Sequence, residues 1–418
     1  MLAKMNPAVW IAVSVVVLVA LVSGALYFVL ADQINPQTTA TPLASTTNTS
    51  SLSERIQTIA TPSPSTSPSV TVTDPAPKFT KVSETTIDGG NLWLFPVDDG
   101  GTKLALSTEQ GNRIQMGRLD LTNPNQKVAW KTVASTTDTG GEGIADHWHI
   151  YAHDAHWISF SVTGANRSFL LKLDKDFNRL SLSNVVNKDI VSTAELTALG
   201  IQTGETGNPM AGQARSVTTN DMFLVAEPNG VAVSHMVPGV GAKIYRFDIN
   251  GQATGTALLG GPDYNFNNGS SAEKTESGFT VFATETLNMV QQGAIKLIKA
   301  NQNWQPLSVT TLLDEARINL AMSTGVRLPS GYWILTARAV SGAYPRGEMP
   351  PPAKPGQGLS DDSGAIVRYV FDANNNLIDR TVIQKTKSNR PHTILVGNQL
   401  ITTWDSEGHV TLRIDEVN

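Results

Sequence analysis

The chain has no cysteine in 418 residues. Disulfides, thiolate-bound zinc or iron–sulfur centres, thiol nucleophiles and Cys-linked lipids are excluded together. Charge is scarce as well. Asp, Glu, Lys and Arg make up 16% of the chain, where a typical globular domain has about 25%. The balance is 31 cationic against 36 anionic residues, net −5, which is the wrong sign for a nucleic-acid surface. There is no Walker sequence, no Gly-x-Ser-x-Gly, no HExxH and no dinucleotide fingerprint after a strand, so the usual signatures of nucleotide, serine-hydrolase and zinc-protease chemistry are missing. No cofactor and no metal are expected. What is present is 40% apolar residues with 34 Gly and 22 Pro, enough for a large core with many turns.

Residues 8–31 carry no charge and read AVWIAVSVVVLVALVSGALYFVLA. As a helix, 24 residues extend about 36 Å at about 1.5 Å each, against a hydrocarbon core of about 30 Å. Trp10 and Tyr27 stand near the two ends, where interfacial aromatics belong. Lys4 precedes the span and Asp32 follows it, which places residues 1–7 in the cytoplasm and the rest of the chain outside. The competing reading is a signal peptide cut after Ala31, but such peptides have apolar regions of only about 7–15 residues. We read a single-pass signal anchor in the cell membrane. Residues 32–77 are rich in Ser, Thr and Pro and nearly free of large apolar groups. They cannot bury enough surface to offset their ordering entropy, and are expected to form a disordered stalk.

From residue 78 to 418 short alternating apolar runs are separated by Gly, Asn, Asp and Pro, an all-β pattern. One hairpin recurs six times, with turns placed at Gly100-Gly101, Ala155-His156, Asn229-Gly230, Ser277-Gly278, Ser330-Gly331 and Asn398-Gln399. Each turn is followed by a strand (KLALST, WISFSV, VAVSHM, FTVFAT, YWILTA, LITTW), then by a third strand that often ends in Asp, and in most copies by a fourth. Four antiparallel strands repeated in this way are the blades of a β-propeller. The sixth copy stops after its third strand, at Arg413-Ile414-Asp415, while Phe79–Ile87 is an unassigned strand at the start of the domain. The expectation is therefore a six-bladed propeller whose last blade is completed by the N-terminal strand, leaving no open seam.

Call the strands of each blade a to d from the centre outward. Ten positions before the second turn residue of each copy stand Asn91, Asp146, Asn220, Asn268, Ala321 and Asn389. This is where strand a begins, so five Asn or Asp side chains ring one mouth of the central channel. Asx residues also serve strand starts by bonding nearby backbone, and the two roles are compatible. Strand direction puts the long connections on this same face: residues 187–220 with a short helix in STAELTALG, residues 260–271, and the Pro-rich 341–364. Long loops over a rigid scaffold are common binding elements. The stalk enters at the opposite face, so the long-loop face is expected to point away from the membrane.

The densest polar stretch is Asp146-His147-Trp148-His149, with His153, Asp154 and His156 close behind. With the turn at Ala155-His156, His149 and His156 lie at opposite ends of strand a, about 20 Å apart at about 3.3 Å per residue, and no single site uses both. Superposing the copies sets His149 against His392 and His147 against Arg390, with blade one between blades two and six. Candidate binding residues on the long-loop face are Asn91, Asp146, His147, His149, Asn220, Asn268, Tyr344, Arg346, Asn389, Arg390 and His392, with Asp146 the one candidate acid or base. Asp174–Asn178 and Asp372–Asn376 begin like calcium loops, but lack the Gly and Glu of that motif and fit the turn chemistry of c–d hairpins. Trp148, Trp157, Trp333 and Trp404 are read as core.

The c–d turn of the first copy reads Asn123-Pro-Asn125-Gln-Lys127-Val-Ala-Trp130. It distantly resembles the Asp-box, Ser-x-Asp-x-Gly-x-x-Trp, of the six-bladed sialidase-like superfamily, over eight residues and with Ser and Gly replaced. The resemblance implies an arginine triad, a Tyr nucleophile with a Glu partner and an Asp acid/base. Arg215, Arg338, Arg346 and Arg390, with Tyr264, Tyr344, Glu142 and Asp146, are the residues of those types that reach this face, and no spacing ties them together. The stretch around Asp146 is also similar to the first strands of five-bladed glycosidases. Two readings follow. One is a surface-displayed propeller that binds a glycan or an extracellular protein. The alternative is a propeller-type glycoside hydrolase, which needs a second carboxylate within about 5–9.5 Å of the first.

Overall fold

The computed structural model describes residues 75–97, 102–163, 166–201, 215–237, 239–261, 271–286, 292–314, 318–341, 364–385, 388–406 and 409–418. Six four-stranded antiparallel sheets follow one another along the chain. Blade one is Gly90–Pro96, Lys103–Glu109, Arg113–Asp120 and Lys131–Ser135; blade two is Ile144–Ala152, Ala155–Val162, Arg167–Leu173 and Arg179–Asn187. Blade three is Thr218–Glu227, Gly230–Val237, Gly241–Asp248 and Ala253–Gly260; blade four is Ser271–Lys274, Gly278–Thr286, Gln292–Asn301 and Pro306–Leu313. Blade five is Ile318–Arg327, Trp333–Ser341, Ala365–Phe371 and Leu377–Gln384. Blade six takes Asn389–Val396, Gln399–Ser406 and His409–Val417 from the C-terminal end, and its outer strand is Phe79–Asp88, paired from Phe79 with Val417 to Asp88 with His409. The six innermost strands adjoin one another in order, and the sixth adjoins the first. The protein is a six-bladed β-propeller.

The pattern of side chains explains why the blades stack. Strands b bury nearly all of their residues on both faces, as in Ala155–Val162, where every residue is buried. The d strands expose most of theirs, as in Leu377–Gln384. The core lies between blades: Leu94, Leu106, Ile394 and Ile401 join one to six, and Met116, Val133, Ile158 and Phe160 join one to two. A blade alone would leave both of these faces in water, so the stability belongs to the ring.

In blades two, three, four and six the tight a–b turns fall one or two residues earlier than the sequence pattern suggests, while in blade five Ser330-Gly331 lies within the loop closed by Leu328 and Tyr332. In blade two the loop is His153-Asp154, both with positive φ (52° and 54°), closed by the pair Ala152–Ala155. Such a turn matches the twist of the hairpin. The Gly100-Gly101 turn lies outside the described residues. In the c–d hairpins, Asp174 Oδ1 accepts from the backbone N–H of Asp176 and of Asn178, both at 2.8 Å. Asp248, Asn301 and Asp372 repeat this with residues two and four ahead. The calcium-like strings are thus turn devices. In blade one that role falls to Asp120, which accepts from Thr122, and Trp130 packs beside Gly117. Between blades two and three, Ile190–Val191 pairs with Arg215–Ser216. The expected short helix is Thr193–Ala198, closed by a capping box of Ser192 and Glu195.

On the short-turn face Glu227 ties three blades together. Trp304 Nε1 of blade four donates to its Oε1 at 2.8 Å, and Arg246 Nε of blade three donates to both oxygens at 2.9 Å. His153 Nε2 of blade two donates to the carbonyls of Glu227 and Gly230 at 2.9 Å. Glu227→Ala leaves a buried indole N–H without an acceptor and Arg246 without its carboxylate. We expect a loss of about 2–4 kcal/mol, read from denaturant midpoints. A change below about 0.5 kcal/mol, the range of ordinary surface substitutions, contradicts it.

Among the described residues no helix is long and apolar enough to cross a membrane. The span at residues 8–31 and the stalk up to residue 74 lie outside them.

Candidate functional site

Five of the six a–b pairings break register near the start of strand a. Asn91, Asp146, Asn220, Ala321 and Asn389 stand in or beside these bulges. Blade four has no break in its described pairing, and Asn268 lies outside the described residues. The bulges explain the Asx preference. Asp146 Oδ1 accepts from the N–H of His147 at 2.9 Å, and Asn389 Oδ1 from that of Arg390 at 3.0 Å. Asn91 and Arg390 hold φ of 48° and 46°, a left-handed backbone that costs a non-glycine residue free energy and concentrates at functional sites. Bulges at the rim of a closed sheet re-aim side chains.

Here they bring together blades six, one and two. The N–H of Asn91 donates to Asp405 Oδ1 at 2.8 Å, and its side-chain amide donates to Asp146 Oδ1 and, at 3.1 Å, to the carbonyl of His147. One asparagine therefore spans two carboxylates. Glu109, which ends strand b of blade one, is the third. Arg390 Nη1 stands 3.9 Å from Asp405 Oδ2. All three carboxyls are half-buried and raised in pKa. Glu109 is pushed up to about 7, by burial first and then by the charge of Asp146, with Arg390 opposing and Asp405 adding. Asp405 is pushed up to about 6 by burial, with Arg390 and the Asn91 N–H opposing and Asp146 adding. Burial also raises Asp146, against Arg390 and its two hydrogen bonds.

The layer beneath is aromatic. Trp93 lies 4.2 Å, ring to ring, from both Trp148 and His392, and Phe95 lies 5.1 Å from His149 and 5.7 Å from His392. His147 Nε2 is 3.0 Å from Ser107 Oγ. The predicted separation of His149 and His156 is overturned: His149 Nε2 is 3.0 Å from His156 Nδ1. Because the chain turns at His153-Asp154, His156 is already on strand b and runs back alongside His149. Blade one does separate blades two and six, and Phe95 touches the imidazole of each. Trp148, Trp157, Trp333 and Trp404 are all buried. Among the described residues no three of His, Cys, Asp and Glu are arranged to hold a metal ion.

Of the remaining candidates, Glu142 pairs with Arg167 at 2.6 Å. Arg215 belongs to the short sheet and Arg338 to strand b of blade five. Tyr264, Tyr344 and Arg346 lie outside the described residues. Sequence reasoning missed Glu109 and Asp405. Both sit one residue beyond the strands read as KLALST and LITTW, opposite the strand-a starts; Glu109 pairs with Gly90 and Asp405 with Asn389.

These buried groups set opposing pH dependences. Burial lowers His147 to about 3, with Arg390 adding. It lowers His392 to about 3 and His156 to about 4, and it lowers His149 well below its usual value. Each imidazole is neutral when folded and protonates near 6.5 when unfolded. Its contribution is complete above about pH 6.5 and is lost as pH falls toward the folded value. The three raised carboxyls act oppositely: they bind protons more readily when folded, so they gain stability as pH falls from 7 toward about 4.5. We expect a shallow dependence of melting temperature between about pH 6.5 and 4.5 and a steep fall below. A Glu109→Gln, Asp405→Asn double variant should show the fall from about pH 6.5 downward. Thermal scans in which the two proteins share one pH profile contradict this assignment.

No protein-family model and no curated protein matches the chain. Solved structures similar to it include a protein of unknown function from Dyadobacter fermentans, at 10% identity, covering 82% of this chain and 100% of that one, with a TM-score of 0.49. A member of the DUF4221 family from Bacteroides vulgatus has 11% identity, covers 82% and 99%, and has a TM-score of 0.47. An endo-arabinase from Bacteroides thetaiotaomicron has 11% identity, covers 80% and 96%, and has a TM-score of 0.37.

Proposed function

We propose that the acidic mouth is the active centre of a glycoside hydrolase, held outside the cell on the N-terminal anchor and acting on an extracytoplasmic glycan. The observation that carries it is the pair of carboxyls with different surroundings. Glu109, raised to about 7, is suited to hold a proton at neutral pH and give it to the glycosidic oxygen. Asp405, bonded by the Asn91 N–H and faced by Arg390, is the better carboxylate to act as base or nucleophile at the anomeric carbon. In this scheme burial, and after it the charge of Asp146, keeps Glu109 protonated. Asn91 sets the spacing of Asp146 and Asp405, each held by one of its nitrogens. Two carboxyl groups whose environments separate their roles are what glycoside cleavage asks of a protein.

Binding without cleavage is the second reading. Its support is that Asp146 and Asn389 are already engaged within the bulges. One experiment separates the two. The full-length chain is incubated with a panel of polysaccharides, and both released reducing ends and retained polymer are measured. Reducing ends lost on Glu109→Gln support the hydrolase; polymer retained without reducing ends supports the binder.

A further inference from the structure

The charge of the mouth has a direction. Among the described residues, Asp146, Asp405 and Glu109 are faced by one cation that acts on all three, Arg390. The sialidase-like resemblance implies the reverse, a triad of arginines. His147, the nearest imidazole, is buried and bonded to Ser107, and supplies no positive charge at neutral pH.

The layer below carries an independent sign of a ligand. Trp93 and Trp148 are each 8% exposed, and each has an indole Nε1 with no hydrogen-bond partner. The same holds for Nδ1 of His392, whose ring lies 4.2 Å from that of Trp93. Trp93 follows Asn91, and Trp148 follows Asp146, by two positions along their strands. Two unused N–H donors therefore belong to residues one alternation along strand a from the bulge residues Asn91 and Asp146. Buried polar atoms normally find partners, and clustered orphans mark a place where something else binds. Carboxylates together with aromatic faces are the chemistry that recognises an ammonium group. Indole rings also take the apolar face of a sugar, and their N–H groups suit its hydroxyl oxygens.

Resting on the reading of the mouth as a sugar site, we propose that it selects a glycan end bearing a free amine, an unacetylated amino sugar, and rejects uronic and sialic acids. The ammonium sits against Asp146 and Asp405, and the sugar ring lies toward Trp93 and Trp148.

The test measures binding of three probes to the full-length chain in detergent: a glucosamine tetramer, its N-acetylated counterpart and an oligogalacturonate. The amine form is expected to bind about tenfold tighter than the acetylated form, the lower end for one hydrogen bond to a charged group. The uronate should not bind measurably. Added salt should narrow the difference. Asp405→Asn should reduce it, and Trp93→Phe, which keeps the ring and removes the donor, should weaken both neutral and amine probes. Melting curves of the variants establish that they fold. Uronate binding as tight as the amine, equal affinity for the amine and acetyl forms, or no binding of any probe overturns the proposal. Cleavage is scored separately. Selective binding without cleavage removes the hydrolase reading and keeps this one; cleavage of the uronate does the opposite.

Discussion

A chain lacking residues 79–88 is expected to lose its cooperative unfolding transition. The deleted strand is the outer strand of blade six, paired along its whole length with His409–Val417 and pinned beyond it by reciprocal bonds between Lys78 and Asn418 at 2.9 Å. Without it the last blade has an unpaired edge and the ring has no closure. The closure is more than a ladder. Asp415, which pairs with Lys81 across the seam, is fully buried. It receives Arg413 through two donors at 2.7–3.0 Å and Arg368 Nη1 of blade five at 3.2 Å. Arg368 is 4% exposed, and its guanidinium lies 3.7 Å over the ring of Phe79. One buried carboxylate thus joins blade five, the C-terminal strand and the N-terminal strand. Asp415→Ala strands two guanidinium groups, one of them buried, and is expected to cost about 3–5 kcal/mol. Phe79→Ala removes the cation–π contact and its packing, at about 1–2 kcal/mol. Val82, on the same strand and 56% exposed, serves as the control, and its replacement by Ala should stay within about 0.5 kcal/mol. Calorimetry reads all four proteins. A deletion that melts like the intact chain, or an Asp415 variant no weaker than the Val82 control, refutes the closure as the seat of stability.

With no cysteine available, this closure takes the place that disulfides hold in many exported domains. It was legible because the repeat left one strand missing at the end and one spare at the start. The blades were legible for the same reason: alternation and Gly- or Asn-rich turns are local signals. The site was only half legible. Asn91, Asp146, Asn389 and Arg390 emerge by counting along the repeat, since each follows from its own hairpin. Glu109 and Asp405 did not emerge. They lie at the ends of strands, past the alternating core, and their relation to Asp146 passes through Asn91, which is 314 residues from Asp405 in the chain. Only the closed ring makes those residues neighbours. The position of His156 was misjudged for a smaller reason. A type I′-like turn at His153-Asp154 carries no glycine, so the Gly- and Asn-based pattern set the turn two residues late.

The largest chemical effect is expected at Glu109 and Asp405. If Glu109 gives the proton, Glu109→Gln should lower kcat/KM by about 10²–10⁴-fold on natural glycosides. It should do much less on aryl glycosides, whose leaving groups need no acid. Asp405→Asn should lower both alike, because attack at the anomeric carbon is common to all substrates. The pH profile carries the same assignment. Activity needs Asp405 ionised and Glu109 protonated. It should therefore rise through about 6 and fall through about 7, a narrow bell. Glu109→Gln should erase the alkaline limb and leave the acid one. Stability should move the other way. A carboxylate raised by burial destabilises the folded state as pH climbs past its folded value. Removing it should stabilise the protein at pH 8 by roughly 1 kcal/mol once solvent access to this half-exposed group is allowed for. A variant that is slower and firmer at once is the mark of a group kept for chemistry at a cost in stability. If Glu109→Gln is slower but melts lower at pH 8, its role is structural and the acid must be sought elsewhere on the rim.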